Sequence, residues 1–219
     1  MAIPGVSAKQ FLALAGVPVL IHSVRTFAQN PRVNTITLAV RLHEQDHVAA
    51  QLAEFGLSNQ VRMVVGGETR QDSVASALRS LQGEPDDIVL VHDAVRPLVD
   101  AATIDRTIDA IVKHGAAIVG LPAIDTIKQV DRTADGAIIT STIPRERIVQ
   151  AQTPQGATLA AMQRAFDEAE ADTFNGTDEA SLLERAGFAV AVVMGSPANM
   201  KITQPGDLEL AEFYLRTRG

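Results

Sequence analysis

From about residue 34 to the carboxyl end, short apolar runs alternate with stretches whose apolar positions recur every three or four residues. Asn34 to Val40 predicts a strand, and Glu44 to Phe55 an amphipathic helix stopped at Gly56. Val61 to Val65 is a short strand running into Gly66-Gly67. Gln71 to Leu81 sets Val74, Ala77, Leu78 and Leu81 on one helical face. Ile88 to Val91 is a fully apolar strand, Ala102 to Lys113 a helix closed by Gly115, and Ala117 to Leu121 another buried strand. Helices are expected near Ala157 to Ala169 and Asp178 to Ala186, a strand at Phe188 to Val193, and a last helix from Pro205.

Strands alternating with helices predict an α/β fold: a doubly wound, Rossmann-like, mostly parallel sheet with helices on both faces. Continuously apolar strands are what burial on both faces demands. Ligands of such sheets bind at the carboxyl ends of the strands. Residues 1–219 read as one domain, with no repeats or linkers. One region breaks the alternation: Thr126 to Val130 and Ala137 to Thr142 flank the turn pair Asp135-Gly136, which predicts a hairpin. Residues 124–150 thus form a β-arm, either an edge hairpin of the main sheet or a projection toward a second subunit.

Composition narrows the chemistry. Hydrophobic residues make up 46% and charged residues 21%, the balance of a soluble globular protein. The net charge of -7 argues against a broad nucleic-acid surface, which needs clustered Lys and Arg. With no cysteine, disulfides, thiolate metal sites and Cys nucleophiles are excluded, and a cytoplasmic location fits. No apolar run reaches the roughly 18 to 20 residues that span a bilayer, so no membrane partner is expected. The histidines are scattered and do not form a metal site.

Five segments carry candidate chemistry. Val91 to Pro97 (VHDAVRP) follows a strand and offers a carboxylate, Asp93, and a guanidinium, Arg96, at its carboxyl end. Gly66 to Val74 (GGETRQDSV) combines two glycines, which suit close approach to a flat ligand, with Ser73 early in the next helix. Arg145 and Arg147, ahead of Thr153-Pro154-Gln155, suit phosphate recognition. Lys201 in Asn199 to Thr203 (NMKIT) can stabilise developing negative charge. Thr177 is expected first as the N-cap of the helix it precedes, and second as a ligand contact.

Taken in order with Lys9-Gln10-Phe11, Asp125 to Lys128 (DTIK) and the terminal DLELAEFYL, these segments resemble the 2-C-methyl-D-erythritol 4-phosphate cytidylyltransferase family. The resemblance implies transfer of CMP from CTP to 2-C-methyl-D-erythritol 4-phosphate, with Mg²⁺ bridging the triphosphate and no covalent intermediate. It implies Lys9 and Lys201 as catalytic cations at the α-phosphate. Gly67, Glu68, Ser73, Asp93 and Ala94 would bind the nucleotide, with Asp93 also near the metal. Arg96, Thr126, Arg145, Thr153 and Thr177 would hold the sugar phosphate. The arm would reach across a homodimer. Alternatives are a ribitol 5-phosphate cytidylyltransferase and an inactive nucleotide-binding or dimerisation module.

One departure matters. Family members open with an apolar strand and a loop of the form A-A-G-x-G-x-R-M, followed by Pro-Lys-Gln. Here Met1 stands about where that loop's methionine falls, and Ala8 replaces the proline. Met1 is therefore read as an internal methionine, with the strand and phosphate loop upstream. Without that strand, its neighbours in the sheet would lack ladder partners.

Overall fold

The structure is a computed structural model that describes residues 8–217. The Met1 to Ser7 stretch compared above with the phosphate loop lies outside the described residues. A small hairpin, β1 (Ala13–Leu14) and β2 (Val17–Pro18), leads into α1 (Val19–Ala28). Next come β3 (Ile36–Val40), α2 (Gln45–Glu54), β4 (Val61–Val65), α3 (Arg70–Ser80), β5 (Ile88–Val91), α4 (Ala101–His114) and β6 (Ala116–Pro122). The arm is β7 (Ile127–Thr133) and β8 (Gly136–Ile143). The chain ends with β9 (Val149–Thr158), α5 (Leu159–Ala171), α6 (Glu179–Arg185), β10 (Ala191–Met194) and α7 (Pro205–Thr217).

Two elements differ from the sequence reading. Helix α1 was not anticipated, although Val19, Leu20, Ile21 and Val24 are all buried. Strand β9 was not anticipated either: it pairs antiparallel with both β5 and β6, while β10 runs parallel to β6. Its polar start and its Pro154 hide it from a pattern search. Elsewhere the expected ends hold to within a few residues. Gly115 stops α4 in the left-handed region at φ 86°, its N–H bonded to the Ile111 carbonyl at 2.7 Å.

Among the described residues the strands form a sheet of order β10-β6-β9-β5 and a separate parallel pair β3-β4. Among these described strands β5 pairs only with β9, and β3 only with β4. A cleft of about 870 Å³ runs between β3 and β5, lined by apolar side chains such as Leu38, Val40, Val89 and Leu90. The consequence shows in burial. Strand β6, paired on both edges, buries Ala116 to Gly120, whereas all four residues of β5 stay half-exposed. The arm pairs with itself and presents Ile124, Ile138 and Ile139, each more than half exposed.

Candidate active site

The polar residues gather at the carboxyl ends of β4 and β5, beside the mouth of the cleft. Asp93, two residues beyond β5, is the hub. Its Oδ1 accepts from Arg70 Nε at 3.0 Å, and its Oδ2 lies 2.9 Å from Lys201 Nζ and 3.5 Å from Arg96 Nε. Burial pushes the Asp93 carboxyl up, but the charges of Arg70 and Lys201 outweigh it and hold its pKa at about 2. Arg70 also fastens both terminal nitrogens on Glu179, at 2.7 and 2.8 Å. Glu179 is 1% exposed. Three cations and two carboxylates from four separate segments thus form one network.

The Asp93 backbone is fixed from the other side. In β9, Gln155 pairs with Ile118 and Gln152 with Val119, so Thr153 and Pro154 bulge out without partners on β6. The bulge carries the Thr153 hydroxyl to His92 Nδ1 (3.0 Å) and to the Asp93 N–H (3.0 Å). His92 Nε2 faces the Arg96 carbonyl at 3.1 Å. A carbonyl only accepts, so Nε2 carries the proton, Nδ1 accepts from Thr153, and the Thr153 oxygen accepts from Asp93. Burial pushes His92 down to about 4, consistent with this neutral ring. Asn199 joins the same network by donating to the Thr153 carbonyl at 2.8 Å and accepting from Arg96 Nη1 at 2.9 Å through its own carbonyl.

The turn after β4 is built by its own helix. Thr69 caps α3 in a reciprocal box with Asp72. A side chain at Gly67 would sit 2.2 Å from the Asp72 Cβ, so the glycine is required by the cap before any ligand is considered. The Ser73 hydroxyl donates to the Thr69 carbonyl at 2.9 Å and accepts from the Gly67 N–H at 3.2 Å. Glu68 is exposed at the tip.

A basic pocket at strand ends beside an apolar cleft suits a phosphorylated ligand. The family model described as 2-C-methyl-D-erythritol 4-phosphate cytidylyltransferase (IspD) matches residues 5–217. A protein of that name from Acidobacterium capsulatum is 65% identical over 210 residues, spanning 96% of this chain and 88% of the relative. One from Solibacter usitatus is 47% identical, spanning 97% and 86%. This chain belongs to the IspD family. Among solved structures, the 4-diphosphocytidyl-2C-methyl-D-erythritol synthase of Anaerococcus prevotii superposes with TM-score 0.85 at 28% identity, covering 95% of this chain and 90% of that one. The Francisella tularensis cytidylyltransferase gives 0.80 at 32%, covering 94% and 93%. The protein is therefore a nucleotidyltransferase with the Rossmann-like fold of the IspD enzymes.

Against the IspD frame, the structure draws Asp93, Arg96, Lys201 and Thr153 into one cluster, with Ala94, Gly67 and Ser73 beside it. Ala94 is tied to α1 through its carbonyl, which accepts from Ser23 at 2.9 Å. Other expected residues make their contacts elsewhere. Lys9 lies near Asp207 at the head of α7, whose carboxyl is lowered, against the pull of burial, by hydrogen bonds from Thr203 and Gln204 and, less, by the Lys9 charge. Thr126 is exposed on the arm, and Arg145 donates to the Ile124 carbonyl at 2.6 Å. One expectation needs correction. Thr177 is exposed and is not the cap of α6; Asp178 is, accepting from the Ser181 N–H at 3.0 Å in a capping box. Thr153 is 3% exposed, with its hydroxyl donating to His92.

Sequence reasoning missed Arg70, Glu179 and His92 as site members. Arg70 and Glu179 are 109 positions apart, so no local spacing announces the pair. Among the described residues no three His, Asp or Glu side chains form a metal cage, and no helix is long and apolar enough to cross a membrane. Asp93 alone is a fitting donor for a hard cation that keeps waters and phosphates as its other ligands.

Proposed function

We infer that this chain transfers the cytidylyl group of CTP to 2-C-methyl-D-erythritol 4-phosphate, releasing pyrophosphate, in isoprenoid precursor synthesis. The observation that carries the reading is Asp93 held between Arg70, Arg96 and Lys201 beside the cleft. Such a reaction needs positioning and charge stabilisation rather than a covalent intermediate.

The chain's residues divide the work. Gly67, Glu68 and Ser73 meet the cytosine base, whose edge is read by the backbone and the Ser73 hydroxyl. Ala94 lies under the ribose. Lys201, with Lys9, stabilises the charge that builds on the α-phosphate during transfer. Arg96, Thr126, Arg145 and Thr177 hold the sugar phosphate, and Thr153 supports this pocket by fixing Asp93. Mg²⁺, when bound, neutralises triphosphate charge, and Asp93 is the carboxylate that would hold it. The apolar arm crosses to a second copy, making a homodimer with composite sites. Exposed Ile138 and Ile139 on a two-stranded arm support that reading.

The cleft between β3 and β5 takes one further strand. Among the described residues two facing edges are open and the strands beside them are apolar and only half-buried, which supports it.

The test is pyrophosphate release from CTP and Mg²⁺ with each of two acceptors. Release with 2-C-methyl-D-erythritol 4-phosphate alone supports the reading. Release with ribitol 5-phosphate instead, or CTP binding without release, rejects it.

A further inference from the structure

Lys201 can act on a phosphate only if its ammonium is held in place, and what holds it is Asp93 Oδ2 at 2.9 Å. Asp93 is shared, because Arg70 competes for the same carboxylate. A guanidinium offers its paired terminal nitrogens to a carboxylate in preference to Nε alone, since the fork makes two parallel bonds. Here that fork faces the other way. Both terminal nitrogens of Arg70 are on Glu179, and only Nε reaches Asp93 Oδ1.

Glu179 is placed rigidly. Asp178, just before it, accepts from Gln155 Nε2 at 2.9 Å, and the Ala180 N–H just after it donates to Gln155 Oε1 at 3.0 Å. Gln71, next to Arg70, donates to the Phe174 carbonyl at 3.0 Å and accepts from the Gly176 N–H at 2.9 Å. The first turn of α3 and the approach to α6 are therefore tied together independently of the ion pair.

We propose that Glu179 is a positioning residue for the transfer step: it restrains the Arg70 fork, so that Asp93 Oδ2 stays free to hold Lys201. The proposal rests on the role of Lys201 given above. Without the Glu179 charge, Arg70 turns its fork onto both Asp93 oxygens and displaces Lys201.

The experiment compares Lys201→Ala, Glu179→Gln and the apolar pair Arg70→Met/Glu179→Met in steady-state turnover, with thermal unfolding of each. Glu179→Gln should lower kcat about 30-fold with KM for CTP within about 3-fold, the cost of a misplaced group rather than a lost binding contact. The double variant, having no fork to misdirect, should be at least about 5-fold faster than Glu179→Gln. A buried ion pair with a merely structural role predicts no such rescue. A double variant as slow as Glu179→Gln overturns the proposal, as does a rise in KM with kcat unchanged. If Glu179→Gln does not fold, the double variant decides alone: a loss of less than about 30-fold supports the proposal, and a larger one rejects it. Wild-type turnover in Lys201→Ala would instead reject the assigned role of Lys201.

Discussion

The Thr153 hydroxyl donates to His92 Nδ1 at 3.0 Å, and that bond leaves the hydroxyl oxygen to accept from the Asp93 N–H. The threonine thereby links a neutral imidazole to the loop that carries the site's carboxylate.

Thr153→Val keeps the shape and removes both bonds. It should cost about 1 to 3 kcal/mol in urea unfolding, because it orphans a buried ring nitrogen and a backbone N–H. Thr153→Ser should stay near wild type. In long-range ¹⁵N spectra the wild-type ring should show its proton on Nε2; a proton on Nδ1 would overturn the arrangement.

Acid should weaken the fold in two steps. Burial lowers His92 from 6.5 to about 4, so the unfolded chain takes up the proton first. Its contribution is whole above pH 6.5 and is lost as pH falls toward 4, amounting to about 3 kcal/mol. Asp93, lowered from 3.8 to about 2 against the pull of burial, adds stability that disappears only below pH 3.8. Urea midpoints measured from pH 7.5 to 4 should fall in wild type and stay flatter in His92→Gln. Parallel curves would remove His92 from the acid step.

Arg145→Ala should raise KM for the sugar phosphate about 10-fold or more while leaving KM for CTP unchanged, since a lost charge-assisted bond to phosphate costs roughly 1.5 to 3 kcal/mol. Equal KM values in variant and wild type would take Arg145 out of that pocket.

A synthetic apolar β-strand peptide that fills the cleft should raise the melting temperature of the 219-residue chain by several degrees. The reason is that a strand in the cleft buries apolar faces of β3 and β5 and pairs two edges left open among the described residues. Hydrogen exchange should slow at Ile36 to Val40 and Ile88 to Val91. Unchanged exchange there would mean the cleft is not a strand site.

The sequence by itself determined the alternation of strands and helices, because burial on both faces writes a continuous apolar run such as Ala117 to Leu121, and helix ends carry their own markers at Gly56 and Gly115. Its motifs also located Asp93, Arg96 and Lys201. Tertiary structure decided what those groups meet. The pairing of Arg70 with Glu179, the inward turn of Thr153 on a bulge, and the insertion of an antiparallel strand between β5 and β6 all join positions far apart in the chain. Periodicity reports which way a residue faces within its own element. Only packing brings distant elements together, and the charged network that Lys201 joins draws on three segments besides its own.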